Sequence, residues 1–212
     1  MTTTSPPTAV DASAKSLLAC GAVAGPLFVS AIVLQAITRT GFDPARHPLS
    51  LLALGDFGWL QVANFLLAGA LAVAGAAGLH RRFDAGRRWS LVPGLIAAYG
   101  VALIWAGVFP ADAADGFPPG ATETVSWHGV LHSIAPATAG LALVVAAFVG
   151  ARRFARAGRR GWAAYSVGTA LAYLVLSAVA FGLPDYRWML LGGAMLWLWP
   201  SVIAVRALNS AD

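Results

Sequence analysis

Charged residues are scarce in this chain, at 11% of 212 positions, and there is one cysteine. A single thiol, Cys20, excludes an intrachain disulfide and any multi-cysteine metal centre. Soluble domains carry roughly 25% charged residues, so the low charge excludes an ordinary water-facing surface. Acids and cations are also missing from the interiors of the apolar runs, which counts against a pump or channel. The formal charge of +5 does not indicate a nucleic-acid partner, because the basic residues sit in short clusters between apolar runs instead of along a solvated face.

What the chain does have is apolar length. Hydrophobic residues make up 58% of it, and the mean hydropathy is +0.72. At 1.5 Å per helical residue, runs at 17–37, 60–79, 89–109, 127–149, 162–181 and 188–204 can each reach across, or nearly across, a hydrocarbon core of about 30 Å. The first run exceeds the usual 7–15 residue apolar core of a cleaved leader, so it reads as a span. Residues 1–14, rich in Thr and Pro, read as a disordered tail. Residues 15–208 then form a single all-α domain, a polytopic integral membrane bundle of six transmembrane helices, since the connections are too short for a separate soluble unit. Residues 50–54 are too short to span and read as a turn of interfacial helix.

Orientation follows from the cations. With both termini cytoplasmic in the cell membrane, the inner side holds Lys15, Arg81, Arg82, Arg87, Arg88, Arg152, Arg153, Arg156, Arg159, Arg160 and Arg206, against Arg39, Arg46 and Arg187 outside. His47, His128, His132 and most of the acids fall on the outer side, whereas His80 reads as a solvated member of an inner basic loop.

The stretch FPADAADGFPPGATETVSWHGVLH, 109–132, is the candidate site. Residues four apart share one face of a helix, so His128 and His132 point the same way. Zinc takes nitrogen and oxygen ligands tetrahedrally and keeps one position for water at catalytic sites. His128 and His132 with Asp112 form a candidate zinc shell, with His47 as a further ligand or catalytic residue. A zinc-bound water ionises near neutrality and attacks esters or amides. Asp115 is then the candidate base, with Asp56 and Glu123 as others, and Ser50 the oxyanion donor. The bland counterpart is a hydrogen-bonded plug of His, Trp and Asp closing the bundle. Asp112 and Asp115 also form a carboxylate pair that suits Mg²⁺ and a prenyl or diphosphate substrate. Haem requires histidines on facing helices, and the spans offer only the His128/His132 face. Asn64, Ser133 and Thr138 read as interhelical hydrogen-bonding groups. Gly69, Gly75, Gly192 and Gly193 read as close helix contacts, and Trp197-Leu198-Trp199-Pro200 as an interface anchor.

Three co-linear motifs, FDPARHPLSLLALGDFGWLQVANF at 42–65, FPADAADGFPPG at 109–120 and the WHGVLH that follows, resemble a bacterial and archaeal membrane family known as domain of unknown function 998. Where the commoner family form has a small polar residue and a proline, this chain has Ala111 and Ala113, with Asp112 kept. The resemblance implies the six-span fold and the place of the site, and supplies no activity. A looser chemical similarity is to alkaline ceramidase and adiponectin-receptor membrane hydrolases, through Ser50, Asp112, His128 and His132 in that order. Those proteins have seven spans, their His pair on the last span and their site on the inner face.

The expected function is thus a metal-dependent membrane hydrolase, its lipid-like substrate arriving from the bilayer at an extracytoplasmic His/Asp site. The alternative is a non-catalytic membrane protein that binds lipid or a partner subunit through the same loops.

Overall fold

Within a bilayer the amides of an apolar run have no partners but one another, so each run must close into a helix. In the computed structural model of the protein, which describes residues 9–83 and 91–210, they do so. The helices are α1 (Ala9–Thr38), α2 (Gly58–Phe83), α3 (Leu91–Val108), α4 (Trp127–Arg156), α5 (Arg160–Gly182) and α6 (Tyr186–Asn209). All six are long and apolar enough to cross a membrane, and the chain is a multi-pass membrane protein. A short 3-10 turn, Leu49–Ala53, stands where the interfacial turn was expected.

Several bounds differ from the sequence reading. Helix α1 begins at Ala9, inside the stretch read as tail. Helix α4 continues to Arg156, so most of the second basic cluster is helical and only a short turn separates it from α5. His80 lies in the last turn of α2 instead of a loop. The expected start of the third span at Trp89, and the basic residues Arg87 and Arg88, lie outside the described residues.

Consecutive helices pack side by side, and α6 returns against α1, so the chain forms a ring in sequence order. Small residues allow the closest approaches: Gly21 of α1 meets Gly75 of α2 backbone to backbone, and Gly69 of α2 meets Gly100 of α3. In a membrane such contacts replace the hydrophobic drive with dispersion and interhelical hydrogen bonds. Ser201 of α6 provides one of these. Its hydroxyl accepts from the Gly25 amide and donates to the Gly21 carbonyl, inserting itself into the hydrogen-bond ladder of α1.

Trp199 corrects the expectation of an interface anchor. It is fully buried, and its indole donates to the Ser166 hydroxyl of α5 at 3.0 Å. Asn64 does reach across to the Phe28 carbonyl, whereas the hydroxyls of Ser133 and Thr138 turn back onto their own helix.

The two chain ends share one end of the bundle, where Arg81 bonds Ser13 and Arg82 bonds the Ser210 carbonyl. The loops 39–57 and 109–126 cover the opposite end.

Candidate functional site

The 109–126 loop is held by its carboxylates and turns. Asp112 accepts both the backbone N–H and the hydroxyl of Ser126, at 2.8 and 2.6 Å. Ser126 in turn caps α4 by accepting from the Gly129 amide. These two bonds, the hydroxyl's first, hold the Asp112 carboxyl below its ordinary range. A side chain at position 129 would occupy the place of that carboxylate. The glycine of WHGVLH therefore serves the loop's packing, a role the sequence reading missed.

Asp115 and Gly116 both have positive φ and form the tip of a tight turn closed by Ala114 and Phe117. An Asp-Gly pair suits such a turn. The Asp115 side chain is exposed at that tip, and the Gly116 amide donates to Glu123. Phe117 is buried against Phe42, ring centres 5.4 Å apart, and against His47.

His47 is 4% exposed and clasps the two loops together. Its Nδ1 accepts from the Asp43 amide at 2.9 Å, which leaves Nε2 to donate to the Asp115 carbonyl at 3.2 Å. Both ring nitrogens are thus engaged with backbone, and neither lone pair is left for a metal.

His128 and His132 do share a face of α4, and that face meets the end of α3. Nδ1 of His132 lies 2.7 Å from the Phe109 carbonyl and 3.2 Å from that of Ala106; both are acceptors, so this nitrogen carries the proton. His128 donates in the same way to the Pro110 carbonyl at 3.1 Å. The last carbonyls of a helix lack intrahelical donors, and the pair supplies them from a neighbouring helix. Nε2 of His132 remains buried without a partner beside Phe65. The Asp112 carboxylate is 3.9 Å from His128.

Among the described residues no three His, Cys, Asp or Glu side chains gather as a metal shell. The expected zinc set of Asp112, His128 and His132 is on one end of the bundle, with Asp112 bonded to Ser126 and each histidine bonded to backbone through Nδ1. The Asp112/Asp115 pair is likewise divided, one carboxylate turned onto Ser126 and the other exposed.

Ser50 lies elsewhere. With Pro48 and Leu49 it roofs a cavity of about 160 Å³ in the middle of the ring, walled by residues from every helix, including Phe28, Gln61, Ala106, Ala139, Tyr173 and Trp197. Gln61 in its wall ends a polar chain that sequence reading overlooked, because each amide alone resembles an ordinary polar residue in a span. Arg39 donates to Gln35 Oε1, and also to the carbonyls of Leu54 and Phe57. The Gln35 amide must then turn its nitrogen inward, where it donates to Ala31 O and, at 2.8 Å, to Gln61 Oε1. Asn64 donates to the same oxygen. Gln61 is 0% exposed, its oxygen committed on both sides, and its Nε2 has no partner. Desolvation lowers the Arg39 pKa, partly offset by Asp56, and with a guanidinium's reference value the group remains charged.

A ring of six apolar helices, capped at one end by two clasped loops and hollow beneath the cap, defines a polytopic α-helical membrane protein. The chain belongs to the family described as protein of unknown function (DUF998), which matches residues 22–206. No curated protein and no solved structure matches it.

Proposed function

We propose that this is a non-catalytic membrane protein that binds a slender lipid-like molecule in the central cavity. The observation that carries this reading is the Gln61 amide: a buried donor left unpaired in the wall of a mostly apolar cavity. An unpaired buried polar group costs about 1–3 kcal/mol, and a ligand oxygen would relieve that cost. Cavities of about 150 Å³ accept a benzene-sized guest, so the space suits a narrow molecule, or the end of an acyl or isoprenoid chain, that bears a carbonyl or hydroxyl oxygen. The hydrolase reading has less support, because no three His, Cys, Asp or Glu side chains gather among the described residues and both nitrogens of His47 are engaged with backbone.

The cationic helix ends support a cytoplasmic placement of both termini in the cell membrane, with the clasped loops on the outer side. The ligand would then reach the cavity from the bilayer.

The test is the lipid extract of the purified protein. An apolar species should accompany the natural chain and be missing from Ala139→Phe, which fills the cavity. Identical extracts from two folded proteins would reject the proposal.

A further inference from the structure

At the opposite end of the bundle, a groove of about 510 Å³ runs between α1 and α6 and is closed at its mouth by the start of α5. Its length is apolar, with Ala22, Leu198 and Val202 among its walls, and its mouth is flanked by Arg159 and Arg206. From Leu198 to Arg206 the helix rises about 12 Å at 1.5 Å per residue, enough to run beside much of an acyl chain.

Among the described residues the two arginines have no counter-charge. Arg206 stacks on the rings of Phe154 and Trp162, 5.0 and 5.1 Å from their centres, so its planar faces are covered and its N–H edge is presented. Arg159 is close enough for the two charges to repel. Among the described residues, no carboxylate forms an ion pair with either guanidinium, and neither side chain donates a hydrogen bond to the protein. One stacked cation and a second beside it at the mouth of a mostly apolar groove, inside a protein otherwise poor in charge, complement a ligand with an anionic head and an apolar tail.

We infer that this groove binds one anionic phospholipid, its phosphate on the N–H edges of Arg206 and Arg159 and one acyl chain along α1 and α6. Bidentate geometry suits guanidinium to phosphate oxygens, and basic pockets between spans at a cytoplasmic face are a known setting for such head groups. The site is separate from the central cavity, so it stands or falls independently of the ligand there.

The experiment is retention of lipid by the full chain in detergent, read by native mass spectrometry after exposure to phosphatidylglycerol or phosphatidylcholine of the same acyl length. Phosphatidylglycerol should be retained about tenfold more strongly, a difference of about 1.4 kcal/mol. The preference should disappear in Arg159→Gln/Arg206→Gln. It should fall several-fold in Arg159→Gln alone, which touches no packed ring and keeps the fold, and should survive Arg206→Lys in part. Equal retention of the two lipids overturns the inference, as does a preference unchanged in the folded double variant. A chain ending at Ser210 should keep the natural preference. If the preference emerges only in that shortened chain, the lipid assignment for the natural chain is wrong. Suppression of retention by millimolar inorganic phosphate would make this a soluble-anion site and would equally overturn it.

Discussion

His132 of α4 donates its Nδ1 proton to the carbonyl of Phe109, 2.7 Å away, just past the last turn of α3. A histidine whose spacing suggests a metal ligand thereby closes a helix end. Removing it strands buried carbonyls. We expect His132→Ala to lower stability by about 1–3 kcal/mol. His128→Ala, at a half-exposed position, should cost less. Unfolding of the two variants in detergent, followed by circular dichroism, checks the order.

Zinc content separates this reading from a hydrolase directly. The purified natural protein should carry well under one zinc per chain, and His128→Ala/His132→Ala should leave that value unchanged. Stoichiometric zinc lost in the double variant would restore the metal-dependent reading.

Asp112 supplies a pH dependence with a definite sign. Its carboxyl is held below the ordinary range by Ser126, so the stabilisation is fully present above the unfolded value of about 3.9. It is lost as pH falls through the lowered folded value. Asp112→Asn should remove that acid-dependent loss, since an amide does not titrate, and should lower stability at every pH because it offers one acceptor oxygen where Ser126 uses two. Amide exchange at Ser126 and Gly129, followed between about pH 3 and 6, reads the effect locally.

Gly129→Ala should fail for a steric reason, because its methyl group would meet the Asp112 carboxylate. Overpacking of this kind costs about 1–3 kcal/mol. The double variant Gly129→Ala/Asp112→Ala should be more stable than the two separate losses sum to, as expected for groups that compete for one space. Thermal unfolding of the four proteins forms the required cycle.

Gln61→Leu is expected to fold. Without Gln61, Gln35 still donates to Ala31 O and Asn64 to Phe28 O, so no neighbour loses its last partner. The variant should unfold at or above the natural temperature while retaining less of the co-purifying cavity ligand. Undiminished retention would show that the amide does not recognise the ligand.

The polar residues behaved unequally as guides. Asn64 was readable as a bridge between helices because few other roles are open to a lone amide in a span. Gln61 was not, since its meaning depends on a relay starting at Arg39, whose guanidinium orients the Gln35 amide before Gln35 orients its own neighbour. Trp199 misled for a related reason: an indole near a helix end suits the interface, and only the position of Ser166 on α5 draws it inward. Ser50 belonged to the same ordered set as Asp112, His128 and His132 by sequence, yet the 3-10 turn places it over the cavity.

By itself the sequence determined the six spans, the charged ends and the common face of His128 and His132, because apolar length, charge and the 3.6-residue period are properties of the chain alone. Which surface that face would meet was a tertiary decision. The rotation and offset of α4 against α3 set three helix-end carbonyls opposite the histidines, so Nδ1 of each ring donates to the backbone of that neighbour, a partner the helical spacing alone does not reveal.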